Sequence, residues 1–368
     1  MQLLPRISPR IVSRQIPRAI ADSNIPRRFR STTTTTSPIQ YHPLKTLEDA
    51  DIDHFREQCF APERPAILPR RFFRDLPATE RWFRPSSPAQ SNNARLNTEY
   101  LEEHGANAFV PLELTQPPAP AAAESSSAKQ SESISFRQFH APLSLFLQWM
   151  QTAQTHPQQS TRLYLAQCQL LDLPPILRDD LPAPDLVARA GRGDIYDANV
   201  WIGHPPTYTP LHRDPNPNLF VQLAGEKVVR LVSPDDGLGV FAMVRRQLGK
   251  SGSREAAAIR GEEMMQGPER VLLEKVVWDD GDHPCAPQAG AMVPDKGGYE
   301  ARLGPGDGLF IPKGWWHSIK GIGEGVTGSV CSDCIYIQST EYANELAGQL
   351  VVPITAIQRI VVSIRMYR

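Results

Sequence analysis

From Asp197 onward the apolar positions come in short runs separated by Gly and Pro: "ANVWIG", "LFVQLAGEKVVRLVSP", "YEARLGPGDGLFIPKGWWHSI" and "GVTGSV". Short apolar runs bounded by turn residues predict strands, and their succession predicts a sandwich or barrel rather than alternating strands and helices. Upstream, "PLSLFLQWMQTAQ" from Pro142 places Leu143, Leu145, Leu147 and Met150 with no internal breaker, which predicts an amphipathic helix. "STRLYLAQCQLL" from Ser160 is short and carries Tyr164, which favours a strand. The fold expected is mainly β with flanking helices.

The same patterning divides the chain. Residues 39–114 mix short apolar segments such as "PAILPRRFFRDLP" with charged, helix-like ones, and form a region expected to flank the barrel. Residues 115–135, "TQPPAPAAAESSSAKQSESIS", have no core-forming pattern and read as a low-complexity linker or surface loop. The barrel is expected over 136–331, with a polar, partly helical insertion at 245–270. Such an insertion is cheap, because loop-closure entropy grows slowly with length. Residues 332–368 form a separate tail.

Composition narrows the classes of function. The chain has 368 residues, 40% of them hydrophobic, enough for a sizeable core. Lys+Arg 39 against Asp+Glu 40 leaves a net charge of -1, so the overall balance offers no footprint for nucleic acid or an anionic membrane. No uncharged apolar run approaches the roughly 20 residues that span a bilayer. The cysteines (Cys59, Cys168, Cys285, Cys331 and Cys334) are too few and scattered for a disulfide-built fold. Cys331-x-x-Cys334 has no second pair nearby and receives no metal or redox role. The exception to neutrality is residues 1–38, where Arg6, Arg10, Arg14 and Arg18 precede the first acid, Asp22. Arg-rich, Ser/Thr-rich, acid-poor segments resemble mitochondrial transit peptides. Pro5, Pro9 and Pro17 oppose a helix there, so the alternative is a disordered basic tail on a cytoplasmic or nuclear protein.

The chemistry centres on "TYTPLHRDPNPNLFVQLAGEKVVRLVSP", residues 207–234. In an extended segment His212 and Asp214 leave the same face and can grip one ion. Alone, His-x-Asp equally describes a polar bend. His317 changes the balance, since it follows a Gly-Asp turn, a short apolar strand and a Pro-Lys-Gly bend. Two His and one carboxylate on neighbouring strands make the facial triad of non-haem Fe(II) oxygenases.

"TPLHRDPNPNLFVQLAGEKVVRLVSP" followed by "GPGDGLFIPKGWWHSI" resembles the JmjC (jumonji C) family of Fe(II)/2-oxoglutarate oxygenases, especially its cupin-like protein-hydroxylase branch. "LYLAQCQLLDLPPILRDDLPAP" and "DANVWIGHPPTYTPLH" fit the same branch, so the resemblance covers roughly residues 137 to 331. It implies a double-stranded β-helix, a jelly-roll variant of the cupin/JmjC type. It also implies that His212, Asp214 and His317 bind Fe(II), and that Lys227 pairs with the distal carboxylate of 2-oxoglutarate. Thr209 and Tyr164 would help hold that carboxylate, and Asn218 would face the cosubstrate. The implied activity is O₂-dependent hydroxylation, or demethylation through hydroxylation, of a protein or other macromolecular side chain. The alternative is a JmjC-like module that binds metal or a partner without turnover, and a generic cupin isomerase or dioxygenase is a third reading.

Other conspicuous residues receive structural readings. Trp201 reads as core, Trp315 and Trp316 as packing that aims His317, His204 and His283 as surface residues, and Asp307 as a turn residue. After Val330 the resemblance stops: Cys331 stands at a small polar position that contacts the site in the family, while Ser332 and Asp333 replace aromatics. The expectation is that residues 331–368 pack poorly against the barrel and that Asn-Trp-Trp at 331–333 would stabilise it.

Overall fold

The computed structural model describes residues 39–87, 90–116, 135–156, 160–191, 195–253, 256–257, 264–279 and 297–334. Their strands, in chain order, are β1 (Tyr41–Pro43), β2 (Ala66–Ile67), β3 (Phe83–Ser87), β4 (Gln90–Leu96), β5 (Phe109–Gln116), β6 (Ser135–Pro142), β7 (Arg162–Gln169), β8 (Ile195–Gly203), β9 (Thr207–Arg213), β10 (Asn218–Ala224), β11 (Glu226–Val232), β12 (Gly298–Leu303), β13 (Gly308–Ile311), β14 (Trp316–Ile322) and β15 (Thr327–Cys334). They form a five-stranded sheet ordered β1-β12-β11-β14-β9, an eight-stranded sheet ordered β2-β13-β10-β15-β8-β7-β5-β6, and the β3-β4 ribbon. Apart from the parallel β1–β12 pair, the ladders between named strands are antiparallel. This is the expected jelly-roll architecture.

The continuous apolar run "NLFVQLAGEKVVRLV" becomes two strands because Gly225 turns the chain at φ 66. A side chain at Gly225 would put a Cβ 2.6 Å from the Val326 carbonyl oxygen, so both the backbone angle and the space require glycine. The turn sends β10 to one sheet and β11 to the other. Between them lies an apolar layer of Phe220, Val229, Leu231, Ala301, Leu303, Leu309 and Ile311. The outer face of the larger sheet packs on a helical layer that includes Leu143–Thr155, the helix expected from Pro142. Phe146, Leu147 and Met150 supply its buried face.

Three boundaries differ from expectation. The helical decoration at the hairpin end begins earlier than residue 245, with Pro234–Gln247, and resumes with Gly267–Trp278. Ser233 caps the first helix by accepting from the Asp236 amide, Pro234 starts it, Asp235 and Asp236 occupy its first turn, and Arg245 and Arg246 its last. Those are start and stop signals that complement the helix dipole. The region expected to flank the barrel instead supplies β2 and β5 to the large sheet, and β5 and β6 extend into both ends of the 115–135 segment. Residues 117–134 lie outside the described residues.

The closing strand is the third correction. β15 runs through Cys334, paired with β10 on one side and β8 on the other, with Cys331 opposite Phe220 and Asn199. Cys331 and Ser332 are both buried. A central strand satisfies its backbone groups on both edges, so β15 stays paired through Cys334 without the aromatics that the expectation required. The rest of the tail, residues 335–368, lies outside the described residues, as do His283, Cys285 and residues 1–38.

Candidate active site

The three predicted metal ligands arrive from two neighbouring strands of the smaller sheet. His212 is the penultimate residue of β9, Asp214 follows the strand, and His317 on β14 lies directly opposite His212 in the register. A bulge between His317 and Ile319 puts Thr209 opposite Ile319, so Thr209 and His212, three residues apart, both line the cavity. The potential ligand atoms of His212, Asp214 and His317 all lie within 4.8 Å of one another. The His212 Nε2 is 3.8 Å from one Asp214 oxygen and the His317 Nε2 is 3.6 Å from the other.

The far side of each imidazole fixes which nitrogen is offered. His212 Nδ1 lies 2.8 Å from the Pro210 carbonyl and His317 Nδ1 lies 3.1 Å from the Trp315 carbonyl. A carbonyl only accepts, so each Nδ1 carries the proton and donates, leaving both Nε2 lone pairs directed at the same point as the carboxylate. Burial lowers the His317 pKa to about 4, with His212 acting in the same direction and Asp214 opposing. Burial pushes Asp214 up, but His317, His212 and the Asn218 amide together outweigh it and hold the carboxyl below its ordinary range. Neutral imidazoles and an ionised carboxylate are the forms a divalent cation requires. The donor set fits a metal of the facial-triad type.

Behind the triad, Lys227 of β11 is 2% exposed. Its ammonium donates to Ser329 Oγ at 2.6 Å and Tyr164 Oη at 3.3 Å, and lies 5.3 Å from the centre of the Phe220 ring. Among the described residues no carboxylate forms an ion pair with it. Burial lowers its pKa to about 8, with the neighbouring Cys331 opposing, and burial likewise raises that of the Tyr164 phenol. Asn218, 5% exposed, donates to Asp214 at 3.3 Å, while its Oδ1 is buried with no protein partner. A buried ammonium lacking a carboxylate marks a site built for an anionic ligand, while the orphaned amide oxygen calls for a hydrogen-bond donor in the same cavity.

These groups line one cavity of about 330 Å³: Tyr164, Thr209, His212, Asp214, Asn218, Lys227 and His317 all face it. Glycine makes room for Tyr164, since a Cβ on Gly203 would lie 2.4 Å from its ring. Trp201, expected in the core, both packs on the inter-sheet layer and lines the cavity. Trp316 is fully buried against Phe241, at 5.4 Å between ring centres, and Trp315 donates to the Glu63 carbonyl, so both hold the bend before His317. His204, expected at the surface, is half-buried with Nδ1 2.8 Å from the Gly325 carbonyl. Asp307 is a turn residue with a buried carboxylate that accepts from Arg70 and the amides of Arg71 and Gly304.

Sequence reasoning missed several groups that line the cavity or, like Ser329, hold Lys227 behind it. Ser329 shares a face with Cys331 two residues on, so the period of β15 was a usable signal. Glu113 and Phe136 come from β5 and β6, which reach the cavity because β5 pairs with β7 and β6 with β5, and nothing local announced them.

Residues 53–335 match the cupin-like domain family. The chain is 28% identical over 226 residues to "Lysine-specific demethylase JMJ30" of Arabidopsis thaliana, covering 61% of this chain and 42% of that protein. It is 30% identical over 163 residues to "Lysine-specific demethylase 8" of Danio rerio, covering 43% and 33% respectively. Against "Bifunctional peptidase and (3S)-lysyl hydroxylase JMJD7" of Homo sapiens the identity is 24% over 275 residues, 73% of this chain and 76% of that one. The aligned region spans less than half the length of the two demethylases. With the family match running from 53 to 335 over a jelly roll that brings a His-Asp-His cluster to its mouth, the chain belongs to the cupin-like, JmjC-type domain family.

Proposed function

We propose that this protein is an Fe(II)- and 2-oxoglutarate-dependent oxygenase that hydroxylates a protein side chain, or removes a methyl group by hydroxylating it. The observation that carries the reading is the convergence, in one cavity, of three metal-type donors and a buried ammonium with no carboxylate partner among the described residues. His212, Asp214 and His317 would hold the iron. Lys227 would bind the distal carboxylate of 2-oxoglutarate, with Tyr164 and Thr209 beside it and Asn218 facing the cosubstrate. When bound, iron, 2-oxoglutarate and O₂ together supply oxidation of a substrate C–H bond coupled to decarboxylation of the cosubstrate to succinate.

The chain's own groups do the positioning. The Pro210 and Trp315 carbonyls hold the two imidazole tautomers, and Ser329 and Tyr164 orient the Lys227 ammonium. Phe220, Trp201 and Ile319 form apolar wall that limits water at the reacting centre. Glu113 lines the same cavity, and a carboxylate there suits a cationic side chain such as the lysine named in the relatives. The alternative of a module without turnover rested on a failed closing strand, and β15 is paired on both sides.

The test is a proteome-wide comparison of cells carrying the wild-type protein and cells carrying His317→Ala. A protein that loses one oxygen atom, or gains a methyl group, in the variant supports the reading; identical modification patterns count against it. We extend the proposal to a mitochondrial address for residues 1–38, tested by imaging a reporter fused to that segment.

A further inference from the structure

Cys331 sits on the cavity face of β15, between Phe220 of β10 and Asn199 of β8. It is 7% exposed, carries no disulfide, and lines the cavity with Lys227, Tyr164 and Asn218. Its sulfur is close enough to Lys227 and Tyr164 for a thiolate charge to be felt by both, favouring the Lys227 ammonium and opposing Tyr164 ionisation. The other buried thiols are differently placed. Cys59 and Cys168 sit in the apolar cluster on the outer face of the large sheet, away from the cavity, where burial pushes both up, Cys168 to about 12, with Lys45 and Arg64 opposing it at Cys59. Cys331 also packs on the inter-sheet apolar layer, but of these three thiols it is the one that shares the cavity with a buried ammonium, which stabilises the nucleophilic thiolate. Independently of the cysteine, the unpartnered Asn218 Oδ1, on a side chain 5% exposed, shows that this part of the cavity is shaped for a polar ligand.

Resting on the cosubstrate reading of Lys227, we propose that Cys331 is a hydroperoxide-sensitive modification site whose oxidation engages the Lys227 ammonium and closes the cavity to a dicarboxylate. The Cys331 sulfur attacks one peroxide oxygen. A sulfur–oxygen bond forms as the oxygen–oxygen bond breaks, sulfur is oxidised by two electrons, and the departing hydroxide takes up the thiol proton to leave as water. The product is a sulfenic acid, and a second equivalent of hydroperoxide gives the sulfinate. A sulfinate has the charge and the two-oxygen shape of a carboxylate, so it competes for the donor that the cosubstrate requires.

The experiment treats the full chain with hydrogen peroxide and locates added oxygen on each cysteine by fragment-ion mass spectrometry. Cys331 should be oxidised at least about tenfold faster than Cys59 and Cys168, the margin its ammonium neighbour provides. Oxidation of Cys331 no faster than theirs, or loss of two hydrogens between Cys331 and Cys334, overturns the proposal and leaves the cosubstrate reading standing. A second arm measures 2-oxoglutarate affinity before and after peroxide. It should fall about tenfold or more in the wild type and less than about twofold in Cys331→Ser, each against its own untreated sample. Equal falls in both proteins overturn the link to Lys227. Rapid Cys331 oxidation in a protein that binds no 2-oxoglutarate untreated overturns the cosubstrate reading itself.

Discussion

Replacing Lys227 by Met separates a ligand-binding lysine from a structural one, because the two readings give opposite signs. Burial lowers the Lys227 pKa from 10.5 to about 8. At about 1.4 kcal/mol per unit, keeping the ammonium charged within the fold costs on the order of 3 kcal/mol. The folded state binds fewer protons than the unfolded state between those values, so the cost is present in full below about pH 8 and is relieved as pH rises towards 10.5. Methionine removes the charge but leaves Ser329 Oγ and Tyr164 Oη without their donor, a loss of about 1–3 kcal/mol. The variant without ligand should therefore be as stable as wild type or up to about 2 kcal/mol more stable, which for a domain of this size raises Tm by a few degrees. Binding behaves oppositely. Truncating one partner of a buried charge pair costs about 2–5 kcal/mol, so 2-oxoglutarate affinity should fall by roughly 30-fold to several thousand-fold. Scanning calorimetry of the metal-loaded protein, with and without 2-oxoglutarate, reads both quantities. A variant that loses more than about 2 kcal/mol of stability and keeps its 2-oxoglutarate affinity would refute the assignment.

Four further outcomes follow from the same contacts. In the wild type, 2-oxoglutarate affinity should decline above about pH 8 as the Lys227 ammonium loses its proton; calorimetric titration from pH 7 to 9.5 checks this, and a flat profile contradicts it. Gly203→Ala drives a Cβ into the Tyr164 ring and should weaken 2-oxoglutarate binding about tenfold or more while sparing metal affinity, measured side by side. Burial holds the His317 pKa near 4 rather than 6.5, so its folded form binds fewer protons in that interval and stability is lost as pH drops from 6.5 towards 4. The loss for the metal-free protein should be on the order of 3 kcal/mol by denaturant unfolding, and His317→Gln should lack that step. Ser332 shares the face of β15 that carries Val330 into the outer apolar cluster, so Ser332→Trp should cost about 1–3 kcal/mol by overpacking, reversing the gain expected from sequence.

The parts of this molecule that were legible in its sequence are those whose signal is local. The hairpin "NLFVQLAGEKVVRLV", the helix after Pro142 and the strand around Tyr164 each carry their own periodicity, and the structure forms all three. The metal-type ligands were legible because His-x-Asp and His317 stand at strand ends in a recognisable order. Glu113 and Phe136 were not, since strand pairing across a segment of uninformative composition decides their place. The closing strand was misjudged for a related reason. Loss of aromatics at Ser332 and Asp333 was counted as lost burial, whereas pairing with both β8 and β10 is a property of the sheet and invisible in the six residues of "GVTGSV". The helix from Pro234 had a complete local signal in Ser233, Pro234, Asp235 and Asp236, masked by the apolar strand that runs into it.

The most direct measurement titrates 2-oxoglutarate into the Fe(II)-loaded protein without oxygen, then admits air and quantifies succinate. Saturable, metal-dependent binding followed by succinate, both lost in His317→Ala and with binding impaired in Lys227→Met, is the expected result. Binding that ignores the metal, or saturable binding that yields no succinate above the His317→Ala background after air is admitted, would contradict an oxygenase built on His212, Asp214, His317 and Lys227.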